Sequence, residues 1–307
     1  MELDKIKNLY INNKLNKVEY IQRMHEVHST LFDYSDFIKN KDIKKIEISD
    51  EGVIMTSRDW GVKIQCDAVD HRIVPLEILN FDYYEKENSS MIFNLVKDNS
   101  VVFDIGSNIG WYSLGLSKTR QKLQVFAFEP IPKTFNYLKK NIELNQLDNI
   151  QAYNHGLSNQ NAEIQFYYYP EGSGNSSLAD LAEDHNSVKI NSTVKKLDDF
   201  VDENAIDRID FIKCDVEGAE LMVFQGGEKS IRHFKPIIFT EMLRKWASKF
   251  EYHPNEIIDF FKQLDYKCFT VIDDRLVEFI KMDEQSTETN FFFLHNMKHA
   301  AEIKNFC

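Results

Sequence analysis

The stretch VVFDIGSNIG at 101–110 constrains this chain more than any other. Val101, Val102, Phe103 and Ile105 make a short, β-rich apolar run of the kind that forms a central parallel strand buried on both faces. Asp104 falls at its carboxyl end, where open α/β sheets bind their ligands. Gly106 and Gly110 permit a tight turn and a close backbone approach, and the apolar segment at 111–116 opens a helix beyond them. The pattern is D-x-G-x-N-x-G rather than the dinucleotide fingerprint G-x-G-x-x-G. Asn108 stands where that fingerprint wants its middle glycine, which leaves a pyrophosphate less room and favours a nucleoside cofactor without phosphates.

Around this turn the chain alternates apolar strands with helical segments, the signature of a parallel sheet wrapped by crossovers. The expected strands after VVFDIG are QVFAFE ending at Glu129, IQAYNHG ending near His155, IDFIKCD ending at Asp215, PIIFTE ending at Glu241, CFTVID and NFFFLH. Between the third and fourth, EIQFYYYP reads as an edge ribbon and PEGSGNSSL as a flexible loop, a candidate lid beside the cofactor edge. Upstream the pattern differs. Residues 1–40 carry apolar positions Ile6, Leu9, Tyr10, Ile21, Met24, Val27 and Leu31 at amphipathic-helix spacing. From Ile43 the period turns toward two, in IKKIEIS, GVIMTS and WGVKIQC, which predicts a three-strand meander. The expected division is a helical segment and β-meander over 1–78 and a cofactor-binding domain over 79–307.

A chain of 307 residues, 43% of them hydrophobic, can bury a full core. Its formal net charge of −12 argues against nucleic acid as the main partner and suits a cationic ligand. Cys66, Cys214, Cys268 and Cys307 are scattered and form no C-x-x-C pair, so free thiols in a reducing, cytoplasmic setting are expected. No apolar run approaches the length of a membrane span, so no membrane contact is expected either. Self-association through the amino-terminal unit stays open.

The carboxylates carry the chemistry. Glu129 follows Asp104 by 25 residues, close to the offset of roughly 20 at which a ribose-binding acid follows a glycine turn. Asn154, His155 and Gly156 end the expected third strand, where an adenine would pack. IDFIKCDVEGAEL is denser still: Asp215 closes its strand, Glu217 and Glu220 follow, and Gly218 permits the turn. Acids so close together call for a compensating positive charge, whether a metal, a lysine or a cationic ligand, and raise the proton affinity of one member toward that of a general base. Lys213, two residues before Asp215, projects from the same strand face. The helix dipole accounts for Glu217 and Glu220 alone but not for Asp215.

DIGSNIGWYS, AFEP and IKCDVEGAEL, in this order, resemble the FkbM-type family of S-adenosylmethionine-dependent methyltransferases. YEKE at 84–87, KKLDDF at 195–200 and PIIFTE resemble further segments, so that the likeness runs from about residue 81 to 294. The resemblance implies an α/β, Rossmann-like class I sheet of seven strands in the order 3-2-1-4-5-7-6, the last antiparallel, with the small α+β amino-terminal unit appended. Carried onto this chain, it places Asp104, Gly106, Ser107, Asn108 and Gly110 at the methionine end of the cofactor. Glu129 and Pro130 fall at the ribose, Asn154, His155 and Gly156 at the adenine, and Glu85 or Glu87 over the aminocarboxypropyl group. Asp215 borders both cofactor and acceptor. Members of the family methylate hydroxyls of sugars or secondary metabolites, which implies a saccharide or small-molecule acceptor. Asp215 or Glu217 is then the expected base, with Glu241 facing the site and Lys213 tuning it. Asp215, Glu217 and Glu241 are also a candidate site for Mg²⁺ or Mn²⁺. Tyr167, Tyr168, Tyr169 and Trp246 offer aromatic faces to a sugar, or packing surface. Two other readings share the strand and turn: an NAD-dependent oxidoreductase, and a Rossmann-like binding protein without catalysis.

Overall fold

The computed structural model describes residues 1–180 and 187–307. Two helices lead, α1 (Glu2–Ile11) and α2 (Lys17–Phe37), followed by β1 (Ile43–Ser49), β2 (Gly52–Ser57) and β3 (Lys63–Cys66), then α3 (Val74–Phe81) and α4 (Lys86–Leu95). The alternating region begins with β4 (Val101–Ile105), α5 (Trp111–Thr119), β5 (Gln124–Phe128), α6 (Pro132–Leu144) and β6 (Ile150–Tyr153). Next come β7 (Gly156–Ser158), β8 (Ala162–Tyr168), β9 (Val188–Lys196) and α7 (Leu197–Glu203). The remainder is β10 (Phe211–Cys214), α8 (Glu220–Gly226), α9 (Glu228–Phe234), β11 (Ile237–Glu241), α10 (Arg244–Ala247), α11 (Asn255–Lys262), β12 (Tyr266–Ile272), β13 (Arg275–Glu278), β14 (Asn290–His295) and α12 (Ala300–Phe306).

The main sheet is mixed and has eight strands in the order β13-β12-β14-β11-β10-β4-β5-β6. The expected seven are exceeded because the chain after β12 folds straight back through Asp273 and Asp274, both left-handed, so that β13 pairs antiparallel outside it. β14 runs antiparallel to β11, whereas β11, β10, β4, β5 and β6 are mutually parallel. Side chains alternate along these strands and split the core in two. Val102, Phe211, Phe239 and Phe292 face one layer with Leu114 and Leu138. Phe103, Ile212, Ile238 and Phe293 face the other with Phe200, Phe224 and Phe261. Each such aromatic contributes about 1.5–3 kcal/mol by leaving water, which explains why the strands read as continuous apolar runs.

β1, β2 and β3 form the expected meander, and Ile43, Met55, Val62 and Ile64 join the first of these two layers. The 78/79 junction lies inside α3. Of the amphipathic positions read upstream, Ile6 is buried, while among the described residues no side chain of α2 falls in the core. No helix among the described residues is long and apolar enough to cross a membrane.

One further expectation is corrected. IQAYNHG is not one strand: β6 stops at Tyr153, and Gly156 begins β7 in a separate three-stranded sheet of order β7-β9-β8. The break follows from Asn154, whose side-chain amide donates to the carbonyls of Glu129 (2.9 Å) and Pro130 (3.2 Å) and so diverts the backbone from the ladder. The segment read as an edge ribbon is β8, an edge strand of that second sheet.

Candidate active site

A cavity of about 430 Å³ opens at the carboxyl ends of β4, β5, β10 and β11. Its floor is the turn after β4, and the turn's shape is dictated from across the sheet. Gly106 has φ +74°, and a β-carbon there would stand 1.9 Å from the Asp215 carbonyl oxygen. Asn108, at φ +49°, takes the left-handed conformation asparagine tolerates, and its N–H donates to Glu129 (3.0 Å). Gly110, at φ +95°, starts α5 with Leu138 packed against its α-carbon. It shapes the turn without lining the cavity.

Parallel pairing sets Lys213 beside Asp104, so the two side chains share one face of the sheet. The ammonium of Lys213 donates to the Gly106 carbonyl (2.7 Å) and lies 3.3 Å from Asp215 and 3.7 Å from Asp104. Burial works against its charge, but the carboxylates of Asp215 and Asp104 outweigh burial and hold its pKa above the usual lysine range. Asp104 is 2% exposed; Oδ2 accepts from Ser113, while Oδ1 has no hydrogen-bond partner among the described residues. A buried carboxylate oxygen left this way is what a bound ammonium or hydroxyl satisfies.

Glu129 is fixed by the N–H groups of Asn108 and, at 2.9 Å, Ile131. Burial raises its pKa to about 7. The nearby Lys133 pairs with Asp67 (2.6 Å). Gly156, Leu157, Phe166, Ile131 and Val194 close this side with an apolar wall. His155 lies outside the lining: its ring packs among Phe128, Tyr153 and Phe200, its Nδ1 sits 3.1 Å from the Gly156 carbonyl, and burial lowers its pKa. The strand break after Tyr153 turns it away.

Opposite the glycine turn, Asp215, Glu217 and Glu241 bring one oxygen each within 4.8 Å of one another. Burial and the neighbouring Asp215 charge push Glu217 and Glu241 well above the usual carboxylate range. Glu85, on the left-handed residue before α4, lines the same space, accepts from Tyr112 (2.5 Å) and Asn290 (3.0 Å), and is raised by burial. Glu87 is exposed. Glu220 proves different from its neighbours. Its carboxylate accepts from the Val216 and Gly218 N–H groups, both at 3.0 Å, and so braces the turn that carries Glu217.

Ser107 and Pro130 line the cavity, as does Trp246, whereas Tyr167, Tyr168 and Tyr169 do not. Sequence reasoning missed Arg72, Glu77, Tyr84 and, apart from Gly156, the apolar wall. Arg72 and Glu77 sit in and after an irregular connection with no pattern, and Phe166 and Val194 share a cluster that only the assembly of the second sheet creates.

An open α/β sheet with a glycine turn, a ribose-spaced acid and acidic strand ends defines a nucleoside-cofactor binding class. The chain belongs to the FkbM methyltransferase domain family, whose domain matches residues 104–268, more than half of its length. It is 32% identical over 148 residues to Methyltransferase 1 of Beauveria bassiana, covering 42% of this chain and 59% of that protein. It is similar to the 2-O-methyltransferase NoeI of Sinorhizobium fredii, 28% identical over 170 residues, with 51% of this chain and 68% of that protein covered. To the hexuronic acid methyltransferase AglP of Haloferax volcanii it is 27% identical over 156 residues, which cover 50% of this chain and 61% of that protein. The chain thus spans about six tenths of the length of the first of these relatives.

Proposed function

We propose that this protein is an S-adenosylmethionine-dependent O-methyltransferase acting on a hydroxyl of a sugar or, next in order, of a secondary metabolite. One juxtaposition carries the reading: Asp215, Glu217 and Glu241 face the 104–110 turn across a single cavity. The residues present fit the cofactor. Asp104 offers a buried oxygen with no hydrogen-bond partner among the described residues, Glu129 sits at the ribose position, and Phe166, Val194 and Leu157 give an apolar slot for the adenine. S-adenosylmethionine, when bound, supplies a methyl group already activated on a sulfonium.

The protein's own task is to align the acceptor hydroxyl and take its proton. Alignment alone is worth on the order of 7–11 kcal/mol of barrier, and a positioned base adds a factor of about 10²–10⁴. Glu217, with its raised proton affinity, is suited to be that base, while Asp215, ion-paired with Lys213, orients the hydroxyl. Tyr84 and Trp246 supply aromatic faces of the kind that stack on sugar rings. The similarity to NoeI and AglP favours a sugar hydroxyl.

The mutual spacing of the three carboxylates favours a second reading of the same group, as hard oxygen ligands for Mg²⁺ or Mn²⁺. The test of the main reading is calorimetric titration with S-adenosylhomocysteine and, separately, NAD, followed by a glycan screen for a one-methyl gain from labelled cofactor. Tight NAD binding without a response to S-adenosylhomocysteine would overturn it.

A further inference from the structure

Residues 172–178 form a strap across the cavity mouth, tied down at both ends. At one end the Asn108 amide donates to Ser173 Oγ (3.3 Å), and the Ser173 N–H donates to Asp70 (3.1 Å). At the other, Ser177 exchanges backbone hydrogen bonds with Tyr167 of β8 (2.8 and 3.2 Å), and its hydroxyl donates to the Glu217 carbonyl (2.8 Å). Ser177 is 2% exposed, so this bond is made away from water.

The acceptor of that bond is an unusual residue. Glu217 has φ +54°, a region a glutamate enters only against a steric penalty. Glu220 holds the N–H groups on either side of it, at Val216 and Gly218, which leaves the Glu217 carbonyl to the strap. The carbonyl's direction and the side chain's direction are set by the same backbone angles. If the peptide after Glu217 relaxed out of the left-handed region, the carboxyl would swing off Asp215 and Glu241. A buried hydrogen bond and the strain of one left-handed residue are of comparable weight, so losing the first releases the second.

We propose that Ser177 is a positioning residue for Glu217: its hydroxyl holds the turn that aims the Glu217 carboxyl at Asp215 and Glu241, and the strap ties that aim to the cofactor turn at Asn108. The inference rests on the methyltransferase reading above, and it makes the strap part of the machinery for proton removal. A shape-only role would leave the acid unchanged.

The test compares wild type, Ser177→Ala and Ser177→Thr in the full chain, with labelled S-adenosylmethionine and the acceptor the screen returns. In S177A kcat should fall about tenfold, with S-adenosylhomocysteine affinity and the acceptor KM each within about twofold. S177T should restore kcat. Wild-type kcat in S177A would overturn the inference, as would failure of S177T to rescue. A crystal structure of S177A with S-adenosylhomocysteine needs no acceptor and reads the turn directly. A Glu217 carboxyl still beside Asp215 and Glu241 there overturns the role of Ser177, whereas a wild type that binds S-adenosylhomocysteine and methylates nothing overturns the functional reading instead.

Discussion

Gly106 and Asp215 are packed backbone to backbone, with the Asp215 carbonyl oxygen 1.9 Å from the place a β-carbon on Gly106 would take. The cofactor turn and the acidic strand end are therefore one rigid unit, clamped further by the Lys213 ammonium on the Gly106 carbonyl. Gly106→Ala meets both the clash and the +74° φ. A loss of about 2–4 kcal/mol of stability is expected, together with loss of S-adenosylhomocysteine binding in calorimetry. A variant that melts and binds like wild type would show that the two segments separate easily.

Lys213→Met leaves two carboxylates, Asp104 and Asp215, without their shared buried cation. Breaking a buried pair by removing one partner costs about 3–5 kcal/mol. Urea unfolding is the measurement, and a shift under about 1 kcal/mol would mean that the shared cation contributes little to holding the two strand ends together.

Asp215→Asn keeps the shape of the strand end and removes its charge. Methyl transfer should drop by a factor of about 10²–10⁴ while S-adenosylhomocysteine still binds. Unchanged turnover would remove Asp215 from the machinery.

Glu220 links the turn to pH. Burial raises its folded pKa from 4.5 to about 7, so between those values the folded protein keeps a proton that the unfolded chain releases. Its contribution to stability is fully present below pH 4.5 and is lost as pH rises through about 7. His299, lowered by burial to about 3, acts in the opposite sense, because the unfolded chain charges that histidine first as pH falls below 6.5. The comparison is thus made against Glu220→Gln, which removes one contribution and keeps the other. The stability gap between wild type and variant should change in the variant's favour by up to about 3 kcal/mol from pH 4.5 to 7; a constant gap in denaturant titrations would contradict the assignment.

The carboxylate trio separates its two readings by chelation. With a divalent ion as ligand, exhaustive chelation should abolish transfer, Mn²⁺ should restore it, and Mn²⁺ should raise the melting temperature of wild type but not of Glu241→Gln. Full activity after chelation, measured alongside the same melts, leaves the carboxylates as base and orienting groups alone.

Local pattern made Asp104, Glu129 and Lys213 readable. A strand-end acid, an acid after the next strand and a lysine two residues before Asp215 all keep their meaning whatever surrounds them. Asn154 shows where such reading stops. Its side chain competes for the Glu129 and Pro130 carbonyls, ends β6 early and turns His155 into a hydrophobic cluster. Nothing in IQAYNHG distinguishes a strand that runs on from one that breaks. Glu220 was grouped with Glu217 by proximity in the chain, but its carboxylate is spent on two backbone N–H groups.

By itself the sequence determined the alternating α/β architecture, the glycine turn and the acids at the strand ends, because strand burial and turn chemistry are short-range properties written in adjacent residues. Tertiary structure alone decided which of those acids share a space. It set Lys213 against Asp104 by parallel register, brought Glu241 to Asp215 and Glu217 across the sheet, walled the cavity with Phe166 and Val194, and laid Ser177 on Glu217. Such contacts join residues far apart in the chain, and only packing brings them together.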